Sequence, residues 1–139
     1  MNIKPKKSLG QNFLHDKNII NKIISQEKIK NYNIIEIGPG TGNLTQEITK
    51  QNPKSLTLIE KDGRMCKILN KELIFKKKIK IINKDILSFN LEKILKKDTI
   101  VFGNLPYNIS TQILIKLIKF KHWLPNYKKL IFMFQKEVA

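Results

Sequence analysis

Several residue types are scarce in the sequence, and each scarcity excludes a class of protein. The single cysteine, Cys66, excludes an intramolecular disulfide and a zinc site made of cysteines alone, so we expect it to pack on a helix. No apolar run approaches the roughly 18 residues that cross a membrane. The basic N-terminus also lacks the apolar core of a signal peptide. These features predict a cytoplasmic protein that has no membrane partner.

Acidic residues are scarce as well. The 139 residues include 11 aspartates and glutamates against 27 lysines and arginines, which gives a net charge of +16 and a pI of about 10.0. A field of this sign attracts polyanions, above all nucleic acid. The chain is also crowded with lysine, isoleucine and asparagine, and Arg64 is its only arginine. Proteins from AT-rich genomes share this bias, so composition is a second explanation for part of the charge.

Short apolar runs alternate with segments of helical period along the whole chain. The predicted strands are 33–38, 54–62, 79–85, 98–104 and 128–137, and the predicted helices are 17–29, 42–52, 63–74, 91–97 and 109–120. Such alternation indicates βαβ units, and hence an α/β fold with a doubly wound, mainly parallel, Rossmann-like sheet. Ligands of these sheets bind beyond the carboxyl ends of the strands, so the residues that follow each strand are candidate site residues.

The first two predicted strands end in a pattern typical of nucleoside binding. Gly38, Gly40 and Gly42 form G-x-G-x-G between a strand and a helix, where glycines let the main chain approach a ligand. The spacing departs from the G-x-G-x-x-G fingerprint, which disfavours NAD. Glu60 follows about twenty residues later, where an acid can hold both ribose hydroxyls. A tight turn and a solvated acid are the alternatives, and the combination favours the functional interpretation.

Two aspartates near strand ends have two interpretations each. Asp85 ends the third strand, where its carboxylate can accept a hydrogen bond from an adenine amine or cap the following turn. Asp62 follows the second strand and can cap the next helix. We assign no role to His15 or His122, since neither lies at a strand end, and we predict no metal site.

The fourth strand ends in the segment Asn104, Leu105, Pro106 and Tyr107. An adenine amine is a poor nucleophile, because its lone pair is delocalised into the ring. The Asn104 side-chain oxygen and the Leu105 carbonyl can accept its two N–H bonds, and Pro106 restricts the direction of that carbonyl. Tyr107 offers a ring on which a base can stack, worth about 1–3 kcal/mol. An ordinary Asn/Pro turn is the alternative.

The order of six segments resembles that of the ribosomal RNA adenine dimethyltransferases. These segments are SLGQNFLHD, IEIGPGTGNLT, IEKD, NKDIL, FGNLPYNIST and FMFQKEVA. The resemblance runs from Ser8 to the last residue and is strongest to the small-subunit branch. It implies S-adenosyl-L-methionine as cofactor and dimethylation of N6 on two adjacent adenosines, in a hairpin loop near the 3′ end of 16S rRNA. The implied partner is the small ribosomal subunit, and we expect a monomer.

The resemblance also implies a role for individual residues. Asn12 and Leu14 would border the methionine end of the cofactor, and Gly38 would contact the same end. Glu60 would bind the ribose and Asp85 the adenine. Asn104 would be shared between cofactor and target amine, and Tyr107 would stack on the target base.

Family members continue beyond the fifth strand with two more strands and a small helical domain. We therefore expect residues 1–139 to form an incomplete catalytic domain whose fifth strand lies at an open sheet edge. The large-subunit methyltransferases of the erythromycin-resistance type are an alternative, although they usually have isoleucine where this chain has Leu105. A non-catalytic RNA-binding or ribosome-assembly factor, a nicotinamide-dependent reductase, and a DNA adenine or protein glutamine methyltransferase also share parts of the pattern.

Overall fold

The computed structural model describes residues 14–73, 76, 78–105, 108–119 and 126–134. Its elements are α1 (Lys17–Ile24), β1 (Asn33–Ile37), α2 (Asn43–Lys50), β2 (Ser55–Glu60), α3 (Gly63–Leu73), β3 (Ile79–Asn83), a 3₁₀ turn (Leu91–Lys93), β4 (Thr99–Asn104), α4 (Ser110–Ile118) and β5 (Lys129–Met133). The five strands form one parallel sheet in the order β3-β2-β1-β4-β5. This confirms the predicted α/β class.

Helices cover both faces of the sheet, as the doubly wound prediction requires. Because side chains alternate along a strand, Ile34 of β1 and Phe102 of β4 face a core that α1, α2 and α3 complete. Ile35 and Val101 face the opposite core, which α4 and the 3₁₀ turn complete. All five residues of β1 are buried, which is typical of a central parallel strand covered on both sides.

The predicted boundaries are correct to within two residues for three helices and four strands. The other two predicted helices, 17–29 and 91–97, are shorter than predicted. The helix predicted at 17–29 ends at Ile24, where the Ser25 hydroxyl donates to the Lys22 carbonyl at 2.9 Å. The fifth strand, predicted at 128–137, spans Lys129–Met133, and residues 135–139 lie outside the described part of the chain.

The helix predicted at 91–97 is only the 3₁₀ turn Leu91–Lys93. Leu91 and Leu95 are buried as an amphipathic helix would bury them. However, the Lys96 N–H donates to the Thr99 hydroxyl at 3.0 Å, and the Thr99 N–H donates to the Lys96 carbonyl at 2.9 Å. These two bonds turn the chain into β4 and remove the groups that a longer helix would use.

Cys66 is buried on α3, which confirms the prediction made for it, and Phe102 is fully buried in the core. Phe89 is partly buried and packs against the second core. His122 and Trp123 lie outside the described residues. Within the described ranges, every helix is too short or too polar to cross a membrane.

Gly103→Ala should destabilise the pairing of β4 with β5. A Cβ at position 103 would lie 2.7 Å from Leu105 Cδ2 and 2.8 Å from Phe132 Cδ1, so both side chains must move. Such overpacking costs about 1–3 kcal/mol, which urea unfolding measures.

Gly63→Ala is the matched control, because a Cβ there meets only Asn83 Oδ1 at an ordinary 3.5 Å. It should leave stability within about 0.5 kcal/mol of the parent. Equal unfolding midpoints for the two variants would contradict the expected crowding at Gly103.

Candidate functional site

The carboxyl ends of the three central strands bring the predicted site residues together. Ile37 ends β1 between the ends of β2 and β4. Gly38, Glu60 and Asn104 are therefore neighbours at one edge of the sheet. A Cβ on Gly38 would lie 3.4 Å from the main-chain oxygen of Asn104, so Gly38 is within contact distance of the end of β4. Asp85 follows β3 on the far side of β2.

The glycine loop, residues 38–42, leaves β1 and leads directly into α2. Gly38 has a φ of 67°, and Gly42, at the N-terminal cap of α2, has a φ of 85°. Residues with a side chain adopt such angles at a cost, so glycine is required for this turn. A Cβ on Gly42 would also lie 2.7 Å from Leu69 Cδ2 of α3. The loop therefore packs closely on its neighbours as well as turning sharply.

Glu60 ties this loop to the end of β2. Its carboxylate is 7% exposed and accepts the Gly40 N–H at 3.1 Å and the Asp62 N–H at 2.8 Å. Burial raises the pKa of Glu60, and the two main-chain hydrogen bonds oppose this rise. Each carboxylate oxygen has two lone pairs, so each can accept one more hydrogen bond. Two adjacent hydroxyl groups, such as a ribose diol, fit this pair of acceptors.

A second buried acid, Glu36, was missed in the sequence, although an acid inside the apolar run NIIEI was a visible signal. It lies on β1, is 2% exposed, and accepts the Thr45 hydroxyl of α2 at 2.7 Å. Burial raises the pKa of Glu36 to about 8; the Thr45 hydrogen bond opposes the rise, and the nearby charge of Glu60 adds to it. Glu36 therefore keeps its proton at neutral pH and joins β1 to α2 on either side of the glycine loop.

Asp85 and Asp62 both make the capping contacts that were considered for them. Asp85 accepts the Leu87 N–H at 2.9 Å, and Asp62 accepts the Arg64 N–H at 2.9 Å. Asp85 also forms an ion pair with Lys61 at 2.8 Å, and this contact lowers its pKa. The predicted adenine contact would use acceptor capacity that Asp85 retains beside these two partners.

The segment before α1 also reaches the glycine loop. The Leu14 carbonyl accepts the side-chain amide of Asn43 at 2.7 Å, and Asn43 is the first residue of α2. Leu14 itself packs against the first core. Leu14 thus contacts the helix that follows the glycine loop, and only the family resemblance predicts a role for it in the site.

Asn104 is half-buried at the end of β4, and Leu105 is buried with its N–H directed to the Met133 carbonyl at 3.4 Å. The main-chain oxygen of Asn104 lies next to Gly38. Asn12, Pro106 and Tyr107 lie outside the described residues. Among the residues that the structure describes, no three acids, histidines or cysteines are placed to hold a metal ion.

The sequence model of the ribosomal RNA adenine dimethylase family matches residues 2–139. The ribosomal RNA small subunit methyltransferase A of Pelagibacter ubique is 48% identical, over 100% of this chain and 52% of its own length. The protein of that name from Ehrlichia ruminantium is 44% identical, over 99% of this chain and 52% of its length. The chain thus spans about half the length of these curated relatives.

Solved structures share the fold over most of the chain. The 23S rRNA methyltransferase ErmE superposes with a TM-score of 0.76 at 26% identity, over 91% of this chain and 49% of that one. A dimethyladenosine transferase from Plasmodium falciparum gives a TM-score of 0.75 at 31% identity, over 91% of this chain and 44% of that one.

Glu36→Gln should change how stability depends on pH. Unfolded Glu36 loses its proton near its ordinary pKa of 4.5, whereas folded Glu36 keeps it up to about pH 8. The parent's free energy of unfolding therefore carries a contribution that is complete below pH 4.5 and is lost as pH rises towards 8. The glutamine variant has no such loss. Its free energy of unfolding should therefore rise relative to that of the parent between pH 4.5 and 8. Each unit of pKa shift is worth about 1.4 kcal/mol, so the gain at pH 8 should reach a few kcal/mol.

Urea unfolding of both proteins between pH 4.5 and 8.5 measures this difference. Glu72→Gln, at an exposed position of α3, is the control and should follow the parent at every pH. A Glu36→Gln difference that stays constant with pH would show that Glu36 is charged in the folded protein.

Proposed function

Because the chain belongs to the ribosomal RNA adenine dimethylase family, we propose that residues 1–139 form the catalytic domain of an rRNA (adenine-N6,N6)-dimethyltransferase. The substrate is a pair of adjacent adenosines in a hairpin loop near the 3′ end of 16S rRNA, and the enzyme acts on the small subunit as a cytoplasmic monomer. The meeting of Gly38, Glu60 and Asn104 at one sheet edge carries this proposal.

The cofactor is S-adenosylmethionine, which supplies an electrophilic methyl group on a sulfonium. The residues of the site fit this molecule in three respects. Glu60 has two acceptor positions for the ribose hydroxyls, and Gly38, whose φ of 67° favours glycine, lies beside the main chain of Asn104. Asp85 has an acceptor position for the adenine amine. Asn12 and Leu14 are assigned to the methionine end on the family resemblance alone.

The target amine is held by the end of β4. The Asn104 side-chain oxygen and the Leu105 carbonyl accept its two N–H bonds, which draws the nitrogen towards a tetrahedral shape and frees its lone pair. Because Asn104 belongs to a paired strand, its main chain is held by the sheet rather than by a loop. Pro106 and Tyr107 act as the brace and the stacking ring that the sequence predicts.

No general base is needed in this scheme. The nitrogen becomes acidic only as its new bond forms, and water can then take the proton. Positioning the amine and excluding water from it are therefore the main contributions of the protein. This agrees with the residues that the structure describes at the strand ends of the site, whose polar side chains are carboxylates and amides rather than histidines.

Sequence identity favours the small-subunit substrate over the large-subunit alternative. Superposition separates the two poorly, because ErmE and the Plasmodium dimethyladenosine transferase give TM-scores of 0.76 and 0.75. Identity is 48% and 44% to two proteins named for the small subunit, against 26% to ErmE. Leu105, in the second position of the Asn-x-Pro-Tyr motif, supports the same choice.

Asn104→Ala should abolish methyl transfer while weakening cofactor binding less. The variant loses one of two oxygens that hold the amine, and a loss of this kind lowers rates by roughly 10²- to 10³-fold. Transfer is measured on undermethylated small subunits with labelled cofactor and a mass readout, and binding by calorimetry. Asn108→Ala, at an exposed position four residues later, is the control. A normal rate for Asn104→Ala would refute the role given to this side chain.

Glu60→Gln should weaken S-adenosylmethionine binding by about tenfold or more. Glutamine has one acceptor oxygen, and its amide would face a main-chain N–H that now donates to the carboxylate. Calorimetry with S-adenosylmethionine and with NADH measures the effect, and the parent should bind only the former. Glu72→Gln serves as the control. Tight NADH binding by the parent would favour the reductase alternative instead.

A further inference from the structure

A row of lysines lies at the amino-terminal ends of the strands, which we call the amino edge of the sheet. The candidate site lies at the opposite, carboxyl-terminal ends, which we call the carboxyl edge. Each of the five strands is preceded, within three residues, by an exposed lysine. In the spatial order β3-β2-β1-β4-β5 these are Lys78, Lys54, Lys30, Lys97 and Lys128, which we call the amino-edge row. A parallel sheet brings all strand starts to one edge, so residues far apart in sequence become neighbours here.

Main-chain hydrogen bonds hold these approach segments side by side before the strands begin. The N–H of Leu56 donates to the carbonyl of Lys78 at 3.0 Å, and the N–H of Lys54 donates to the carbonyl of Tyr32 at 2.9 Å. The N–H of Asn33 donates to the carbonyl of Asp98 at 3.0 Å, and the N–H of Lys128 donates to the carbonyl of Thr99 at 2.7 Å. Neighbouring strands lie about 4.8 Å apart, so the amino-edge row extends about 20 Å. The main chain of Lys54, Lys78 and Lys128 is thus held by the sheet.

The acids of this edge already have partners. Asp98 accepts the Asn33 amide at 2.7 Å and the Lys54 ammonium at 3.2 Å. Glu27 lies 3.4 Å from both Lys128 and Lys129. Lys30, Lys78 and Lys97 make no ion pair with a residue in the described ranges. The edge therefore keeps a positive charge that its own acids do not neutralise.

An open cleft of about 950 Å³ lies beside the centre of the row, between the α1–β1 connection and the start of β5. Its lining includes Lys28, Lys30, Lys128 and Tyr32, together with the acid Glu27 that pairs with Lys128. The Lys128 ammonium lies 3.9 Å from the Tyr32 ring centroid. The large apolar side chains that the described surface exposes lie on α1 and α4 instead. The cleft therefore suits an anionic, polar ligand rather than a membrane or an apolar protein surface.

We propose that the amino-edge row is a second RNA-binding surface, which binds backbone phosphates of the rRNA at the edge of the sheet opposite Glu60 and Asn104. This inference rests on the proposed function for the identity of the polyanion. A row about 20 Å long can contact several successive phosphates, and such contacts add affinity and fix orientation without reading sequence. The residues at the carboxyl ends of the strands select the target adenosines.

The test compares two double variants of equal charge. Lys30→Gln/Lys97→Gln removes two adjacent members at the centre of the row, while Lys67→Gln/Lys80→Gln removes two exposed lysines outside the row, one from α3 and one from the second position of β3. Binding to the isolated 3′ domain of small-subunit rRNA is measured by fluorescence anisotropy between 50 and 300 mM KCl. The slope of log affinity against log salt should fall by roughly 0.7 to 1 per row lysine removed, with about tenfold weaker binding. The α3/β3 pair should bind like the parent.

Lys30→Arg/Lys97→Arg keeps the charge and should restore parent affinity, which separates loss of charge from loss of folding. Calorimetry with S-adenosylmethionine is run on every protein. Normal RNA affinity in the Lys→Gln row variant, equal losses in both Lys→Gln pairs, or no RNA binding by the parent would each overturn the inference. Loss of binding to anionic phosphatidylglycerol vesicles with RNA binding unchanged would assign the row to a membrane instead. Failure of the parent to bind S-adenosylmethionine would count against the proposed function alone.

Discussion

The two main-chain hydrogen bonds of the Glu60 carboxylate fix the geometry on which the candidate site depends. One holds the glycine loop through Gly40, and the other holds the start of α3 through Asp62. The same carboxylate therefore sets the distance between the ends of β1 and β2. Glu36 lies on the same face of the sheet and joins β1 to α2. Two buried charges this close would repel, and the proton that Glu36 keeps at neutral pH removes one of them.

Local signals in the sequence were sufficient for the sheet and for much of the site. The apolar run of β1 and the glycines after it locate one strand end, and Glu60 and Asn104 locate two more, because parallel strands share an exit edge. The 3₁₀ turn at Leu91 could not be predicted in this way. Its buried leucines fit a helix, but the two hydrogen bonds between Lys96 and Thr99 turn the chain into β4 instead.

The same limit explains why patterns in the sequence did not reveal the contacts of Glu36 and Leu14. A buried acid is interpretable only when its partner is known, and Thr45 reaches Glu36 across a loop of three left-handed glycines. Leu14 meets the site through Asn43, which is 29 residues away along the chain. Contacts of this kind depend on how helices dock, which periodicity does not encode.

Acids cluster at the carboxyl ends of the strands, whereas an exposed lysine precedes every strand at the amino ends. This division would suit the enzyme proposed above, which binds both a cationic cofactor and a polyanion. Acids at the carboxyl edge attract a sulfonium, but they would repel RNA phosphates at the same place. The outermost acid, Asp85, is paired with Lys61, and the half-buried Lys116 adds a further positive charge near it. Glu36 is neutral, so Glu60 and Asp62 supply most of the negative charge there, and Asp62 is paired with Arg64. The field that a polyanion meets at the site is therefore weaker than the number of carboxyl groups suggests, while the lysines that strengthen its attraction lie at the opposite edge.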